Sequence, residues 1–157
     1  MLYYLRKKNK MRVLIAGATG LIGKPLVAAL RKRGDEVWFL TTDESKKDSI
    51  AGAQGFYWDP KNHYCPIEAV QDVSVVINLA GASVSLPWTK KQKNEILQSR
   101  LDTAKAIKLA LKKQNHDVHY IGASGISGYA SSYSLNYNDQ DQTFGSGFLA
   151  EIGRAHV

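Results

Sequence analysis

Cysteine is almost absent from this chain: Cys65 is the only one in 157 residues, so no internal disulfide framework can form and a zinc site made of cysteines alone is excluded. Long apolar runs are missing as well, and nothing approaches the ~20 consecutive residues needed to span a bilayer. The opening decapeptide MLYYLRKKNK lacks the apolar core of a secretory signal. Internal repeats and low-complexity linkers are likewise lacking. These absences lead to the expectation of a cytoplasmic protein without a membrane partner. What is present is 44% hydrophobic and 22% charged, a globular composition. The length is enough for one domain with a real core and too short for two ordinary ones.

Acidic residues are outnumbered, leaving a net charge of +7, so nucleic acid has to be considered as a partner. Most of the basic residues gather in three places: Arg6, Lys7, Lys8 and Lys10; Lys90, Lys91 and Lys93; and Lys105, Lys108, Lys112 and Lys113. The last group recurs at helical spacing opposite the apolar Ala104, Ile107, Leu109 and Leu111, the pattern of a solvated helix face. No aromatic residues interleave with the lysines, and nucleic acid is not expected as a partner. Met11 stands directly before the first good strand, so residues 1–10 are read as an extension or a misplaced start, outside the fold.

From there the periodicity alternates. RVLIAG (12–17) is a short apolar run bounded by glycine, as in a strand buried on both faces. It leads into ATGLIGKPLVAALRKRG, where Leu21, Ile22, Leu26, Val27 and Leu30 share a helical face and Gly34 ends the helix. Strands are predicted at EVWFLTT (36–42), GFYW (55–58), VSVVINLAG (73–81) and DVHYIGAS (117–124), with a long helical span over 89–114. Strands alternating with helices predict an α/β fold, a doubly wound parallel sheet with helices on both faces. Ligands of such sheets bind beyond the carboxyl ends of the strands.

At that edge, after the first strand, stands GATGLIG. Gly17, Gly20 and Gly23 have the spacing G-x-x-G-x-x-G: the first permits a tight turn, the second lets backbone approach a pyrophosphate, and the third lets the helix pack on the strand. The pyrophosphate would rest at the helix N-terminus, where unpaired N–H groups and the dipole favour an anion. The strand–turn–helix context makes Gly17, Thr19, Gly20, Leu21, Ile22 and Gly23 candidate dinucleotide-binding residues, the alternative being a purely structural turn. The end of the second strand should distinguish NAD from NADP, since a carboxylate suits the ribose 2′-OH and an arginine the 2′-phosphate. It offers Thr41, Thr42 and Asp43, then Lys46 and Lys47, and leaves the choice of NADP or NAD open. Asp43 is either a ribose ligand or the cap of the next turn. Asp59, in YWDP, either accepts from an adenine amino group or shapes the turn before Pro60.

Farther along, Asn78-Leu79-Ala80-Gly81 is followed by Trp88, Thr89, Lys93, Ile96, Ser99, Arg100 and Thr103, in the pattern NLAG, W-T-x-x-x-K-x-x-I and S-R-x-x-x-T. With VLIAGATGLIG, this resembles the atypical branch of the extended short-chain dehydrogenase/reductases, the nucleoside-diphosphate-sugar epimerase-like proteins, from about Met11 to Ala150. The resemblance implies a Rossmann-type fold, NADP or NAD bound across it with Leu79, Ala80 and Gly81 alongside, and a nucleotide sugar or other small molecule as substrate. Most relatives carry an arginine where Thr42 stands, which points them to NADP; its absence here reopens the question. Read without the resemblance, the 88–103 block is an ordinary helix with Ile96 and Leu97 packed, and Arg100 is either a phosphate or substrate contact or a surface salt bridge.

In active members of the superfamily a serine or threonine at the fifth strand's end polarises the substrate oxygen, and a Tyr-x-x-x-Lys pair supplies the acid and base. The resemblance makes Ser124 and Tyr129 the catalytic candidates. Read from the residues, Ser124 equally satisfies backbone groups, and Tyr129 opens the polar stretch YASSYSLNYNDQDQ, a surface loop. At the superfamily's register the tyrosine's place is held by Leu149 and the lysine's by Gly153, so the usual chemistry is not expected. The branch commonly reads F-L-A-E-V-C there, and the residues after Glu151 depart even from that. IGRAHV (152–157) is what a widely used sequencing-adapter DNA encodes in one frame (ATC GGA AGA GCA CAC GTC, then a stop). The expectation is therefore that 152–157 is an artefactual tail on an incomplete, truncated dinucleotide-binding domain of residues 11–151, without activity of its own.

Overall fold

The computed structural model describes residues 10–114, 116–138, 140–141 and 143–155. Five strands form one sheet: β1 (Arg12–Ala16), β2 (Glu36–Thr41), β3 (Gln54–Tyr57), β4 (Val75–Asn78) and β5 (His119–Gly122). Their order is β3-β2-β1-β4-β5 and every pairing is parallel. Helix α1 (Gly23–Arg33) covers one face and α2 (Lys90–Leu111) the other, as the alternation of elements predicts. A short α3 (Phe148–Arg154) returns against α2 and the turn at 126–128. Among the described residues no helix is long and apolar enough to cross a membrane.

The reason β1 reads as a continuous apolar run is visible in its two neighbours. Val13 and Ile15 pack with Val27, Leu30, Val37 and Phe39 on the α1 side. Leu14 and Ala16 pack with Val76, Ala106, Ile107 and Ala110 on the α2 side. A central parallel strand has no solvent face, so its buried positions, Val13 to Ala16, must be apolar.

Two sequence expectations need correction. The first helix begins only at Gly23, and Leu21 and Ile22 are 93% and 64% exposed, off its buried face. The chain from Gly17 onward is consumed by a turn, with Gly20 N donating to Gly17 O (3.1 Å) before helical bonding starts at Lys24. On α2 the inward stripe is Ile96, Asp102, Thr103, Ala106, Ile107 and Ala110, while Leu109 is 41% exposed. Alanines at 106 and 110 let the helix approach the sheet closely, and leucine's greater hydrophobicity does not outweigh its angular position. Ile152, Gly153 and Arg154, in the expected tail, form the last turn of α3.

Candidate functional site

At the carboxyl ends of β1, β2 and β4 lies a cleft of about 690 Å³. It sits at the switch point where the chain, having run from β1 out to β3, resumes at β4 on the other side of β1. One wall is the glycine turn, with Gly17, Thr19 and Gly20; a second is the end of β2, with Leu40, Thr41 and Thr42; a third is Leu79, Ala80 and Gly81. Gly17 has φ +85°, and a Cβ there would lie 2.9 Å from the Leu79 carbonyl carbon, so only glycine lets the two loops meet. Gly23 is closed in from below: its Cβ would meet the Gly17 carbonyl oxygen and stand 2.6 Å from the Ala18 carbonyl carbon.

The remaining wall is α2, and it explains the spacing of the 78–103 block. Thr89 caps the helix, accepting from Gln92 N at 3.1 Å. Trp88 donates to Val84 O (2.9 Å) and meets Phe148 of α3 edge-on at 5.4 Å. Ser99 Oγ accepts from Ala82 N (2.8 Å) and donates to Ile96 O. The Arg100 guanidinium donates to Ala82 O (3.3 Å) and Ile96 O (2.8 Å), and it packs beneath Gly81. Half-burial lowers its pKa from the ordinary value. No carboxylate lies within ion-pair distance of Arg100 among the described residues. Asn78, fully buried, donates to Thr103 Oγ1 (3.2 Å) and accepts from Ala80 N (3.2 Å). Asn78, Ser99, Arg100 and Thr103 therefore form one device that pins the 79–82 turn to α2.

Other predicted residues are engaged elsewhere. Leu21, Ile22, Gly23, Asp43, Asp59 and Arg100 do not line the cleft. The Asp43 carboxylate accepts from Ser45 N and Oγ and pairs with Lys46 at 3.0 Å; these bonds, Ser45 first, hold its pKa below the usual carboxylate value. Asp59 accepts from the Asn62 side chain (2.7 Å) and backbone, which likewise lowers its pKa and caps the turn at Pro60–Asn62. Ser124 Oγ donates to Gly153 O. Tyr129 donates to Asn138 O (3.2 Å) and its ring stacks on Tyr137 at 5.1 Å. Neither hydroxyl lines the cleft.

The cleft also contains residues that sequence reasoning did not select: Trp58, Lys61, Lys91, Gln98 and Asp102. Asp102 accepts from Gln98 (2.7 Å) and faces His63 Nε2 at 3.4 Å. A signal existed, since Lys91, Glu95, Gln98 and Asp102 recur at helical spacing on the face preceding the alanine stripe.

The sequence model of the NAD dependent epimerase/dehydratase family matches residues 13–145. An epimerase family protein of Staphylococcus haemolyticus is 29% identical over 146 residues, 88% of this chain and 46% of the relative. Among solved structures, a human epimerase family protein with NADPH superposes with a TM-score of 0.75 at 24% identity, over 93% of this chain and 47% of that one. MoeE5 in complex with UDP-glucose and NAD superposes with a TM-score of 0.69 at 21% identity, over 92% and 46%. The chain spans about half the length of the curated relatives it matches.

Proposed function

Because the chain belongs to the NAD dependent epimerase/dehydratase family, we propose that residues 11–151 bind NAD or NADP in the cleft between the glycine turn and α2, as the cofactor-binding part of an epimerase-like oxidoreductase. The observation that carries this reading is the meeting of Gly17 and Leu79, which joins the two loops into one concave wall of the cleft. The pyrophosphate lies against Gly17–Gly20, the adenosine ribose near Thr42, and the nicotinamide side along Leu79–Gly81. For the whole protein, the complex of MoeE5 with UDP-glucose and NAD supports a nucleotide sugar as the class of substrate.

Titration of the chain with NADH and with NADPH, followed by quenching of tryptophan fluorescence, tests the reading directly, since Trp58 lines the cleft. Gly20→Ala is the matched variant: its Cβ stands 3.2 Å from the Gly17 carbonyl oxygen, which must give by a few tenths of an ångström, and it projects where the pyrophosphate would lie. The urea midpoint is measured beside the affinity to separate lost binding from lost stability. The variant should weaken binding at least about tenfold, or roughly 1.4 kcal/mol. Saturable binding of neither dinucleotide by the parent chain rejects the proposal.

A second reading, a nucleotide-binding module without turnover, is favoured by the engagement of Ser124 with Gly153 and of Tyr129 with Asn138. Leu149, in the tyrosine's register, has no titratable proton. Steady oxidation of NADH or NADPH by this chain in the presence of a nucleotide sugar would eliminate it.

A further inference from the structure

Strand β5 contributes nothing to the lining of the cleft, yet one of its side chains reaches the device that holds the cleft together. Tyr120 pairs across the sheet with Val76, two residues before Asn78, on the α2 side of the sheet. Its hydroxyl oxygen lies 3.0 Å from Asn78 Nδ2. The direction of each bond follows from the neighbours. Thr103 Oγ1 donates its hydrogen to Arg100 O (2.9 Å), so it faces Asn78 as an acceptor. The Asn78 group toward Thr103 is therefore the NH2, one N–H going to Thr103 and the other to Tyr120, and its carbonyl oxygen is turned to Ala80 N–H. Each polar atom of the Asn78 side chain is satisfied only in this orientation.

We propose that Tyr120 is a positioning residue for the dinucleotide site, acting through the Asn78 carboxamide to hold the Ala80 amide and with it the Leu79–Gly81 wall. The proposal rests on the dinucleotide reading above. Removing the Tyr120 hydroxyl leaves a buried N–H of Asn78 without an acceptor, and burial makes that state costly. With one of its three anchors gone, the carboxamide is held only by Thr103 and Ala80, and its greater rotational freedom loosens the bond to the Ala80 amide. Tyr120 is 38% exposed and lies outside the cleft, so its effect on a bound dinucleotide has no direct contact to explain it.

The test compares Tyr120→Phe with Ile121→Ala, the next residue on the same strand, 53% exposed and on the opposite face of the sheet. Dissociation constants for NADH and NADPH are measured by fluorescence, and the Ala80 amide is followed by NMR in protein labelled with 15N-alanine. Tyr120→Phe should raise the dissociation constant about five- to tenfold and speed hydrogen exchange at Ala80; Ile121→Ala should change neither, whatever it does to the melting temperature. An unchanged dissociation constant and unchanged Ala80 exchange in Tyr120→Phe overturn the proposal, as does an equal change in both variants. If the parent chain binds neither dinucleotide, the functional reading fails by itself, and Ala80 exchange alone decides whether Tyr120 positions this turn.

Discussion

A single methyl group at position 23 would meet the Gly17 carbonyl oxygen and the Ala18 carbonyl group, all of it backbone that cannot swing aside. Gly23→Ala is therefore expected to destabilise the chain by about 2–3 kcal/mol, the usual scale for overpacking, read as a lower midpoint in urea unfolding. Burial acts on Cys65 in a different way, pushing its thiol up to about 12 from an ordinary 9.0. Since the unfolded thiol ionises first, the fold's preference for the neutral form costs nothing below pH 9 and removes stability as the pH rises from 9 toward 12. A thiol reagent at pH 8 should accordingly label Cys65 slowly in native protein and at once in urea. Asp43 and Asp59 mark the limit of reading single residues: a carboxylate at a strand end suits a ribose or a turn equally well, and in the structure Ser45, Lys46 and Asn62 are the groups that engage them.

At the level of elements, α2 carries the most information. Its start was expected at 89, and Thr89 satisfies the Gln92 amide that the helix leaves unpaired. Thr89→Ala should cost about 1 kcal/mol, seen as a lower urea midpoint with the dinucleotide affinity nearly unchanged. Its inward face was less legible, because Leu109 has the hydrophobicity of a core residue and the wrong angle, whereas Ala106 and Ala110 have the right angle and little hydrophobic signal. The glycine turn was misjudged in the same manner. Leu21 and Ile22 fit a helical period that the chain adopts only after Gly23.

For the molecule as a whole, β5 is the last strand of the sheet among the described residues, with no strand paired to its outer edge there and Tyr120 and Ile121 partly in solvent. An exposed apolar edge templates pairing with another chain. The chain is expected to associate as its concentration rises, and Ile121→Lys to suppress this, as measured by light scattering after size-exclusion chromatography. The order of strands and helices and the location of the glycine turn followed from the sequence alone, because buried faces repeat every two or 3.6 residues and turns depend on adjacent residues, so the signal is local. Which polar groups serve the cleft was decided only in three dimensions. Asn78 is held by Thr103 and Tyr120, 25 and 42 residues away, and Ser124 is tied to a carbonyl 29 residues on. A hydroxyl's role depends on which acceptor or donor the fold brings within about 3 Å, and no spacing along the chain encodes that distance.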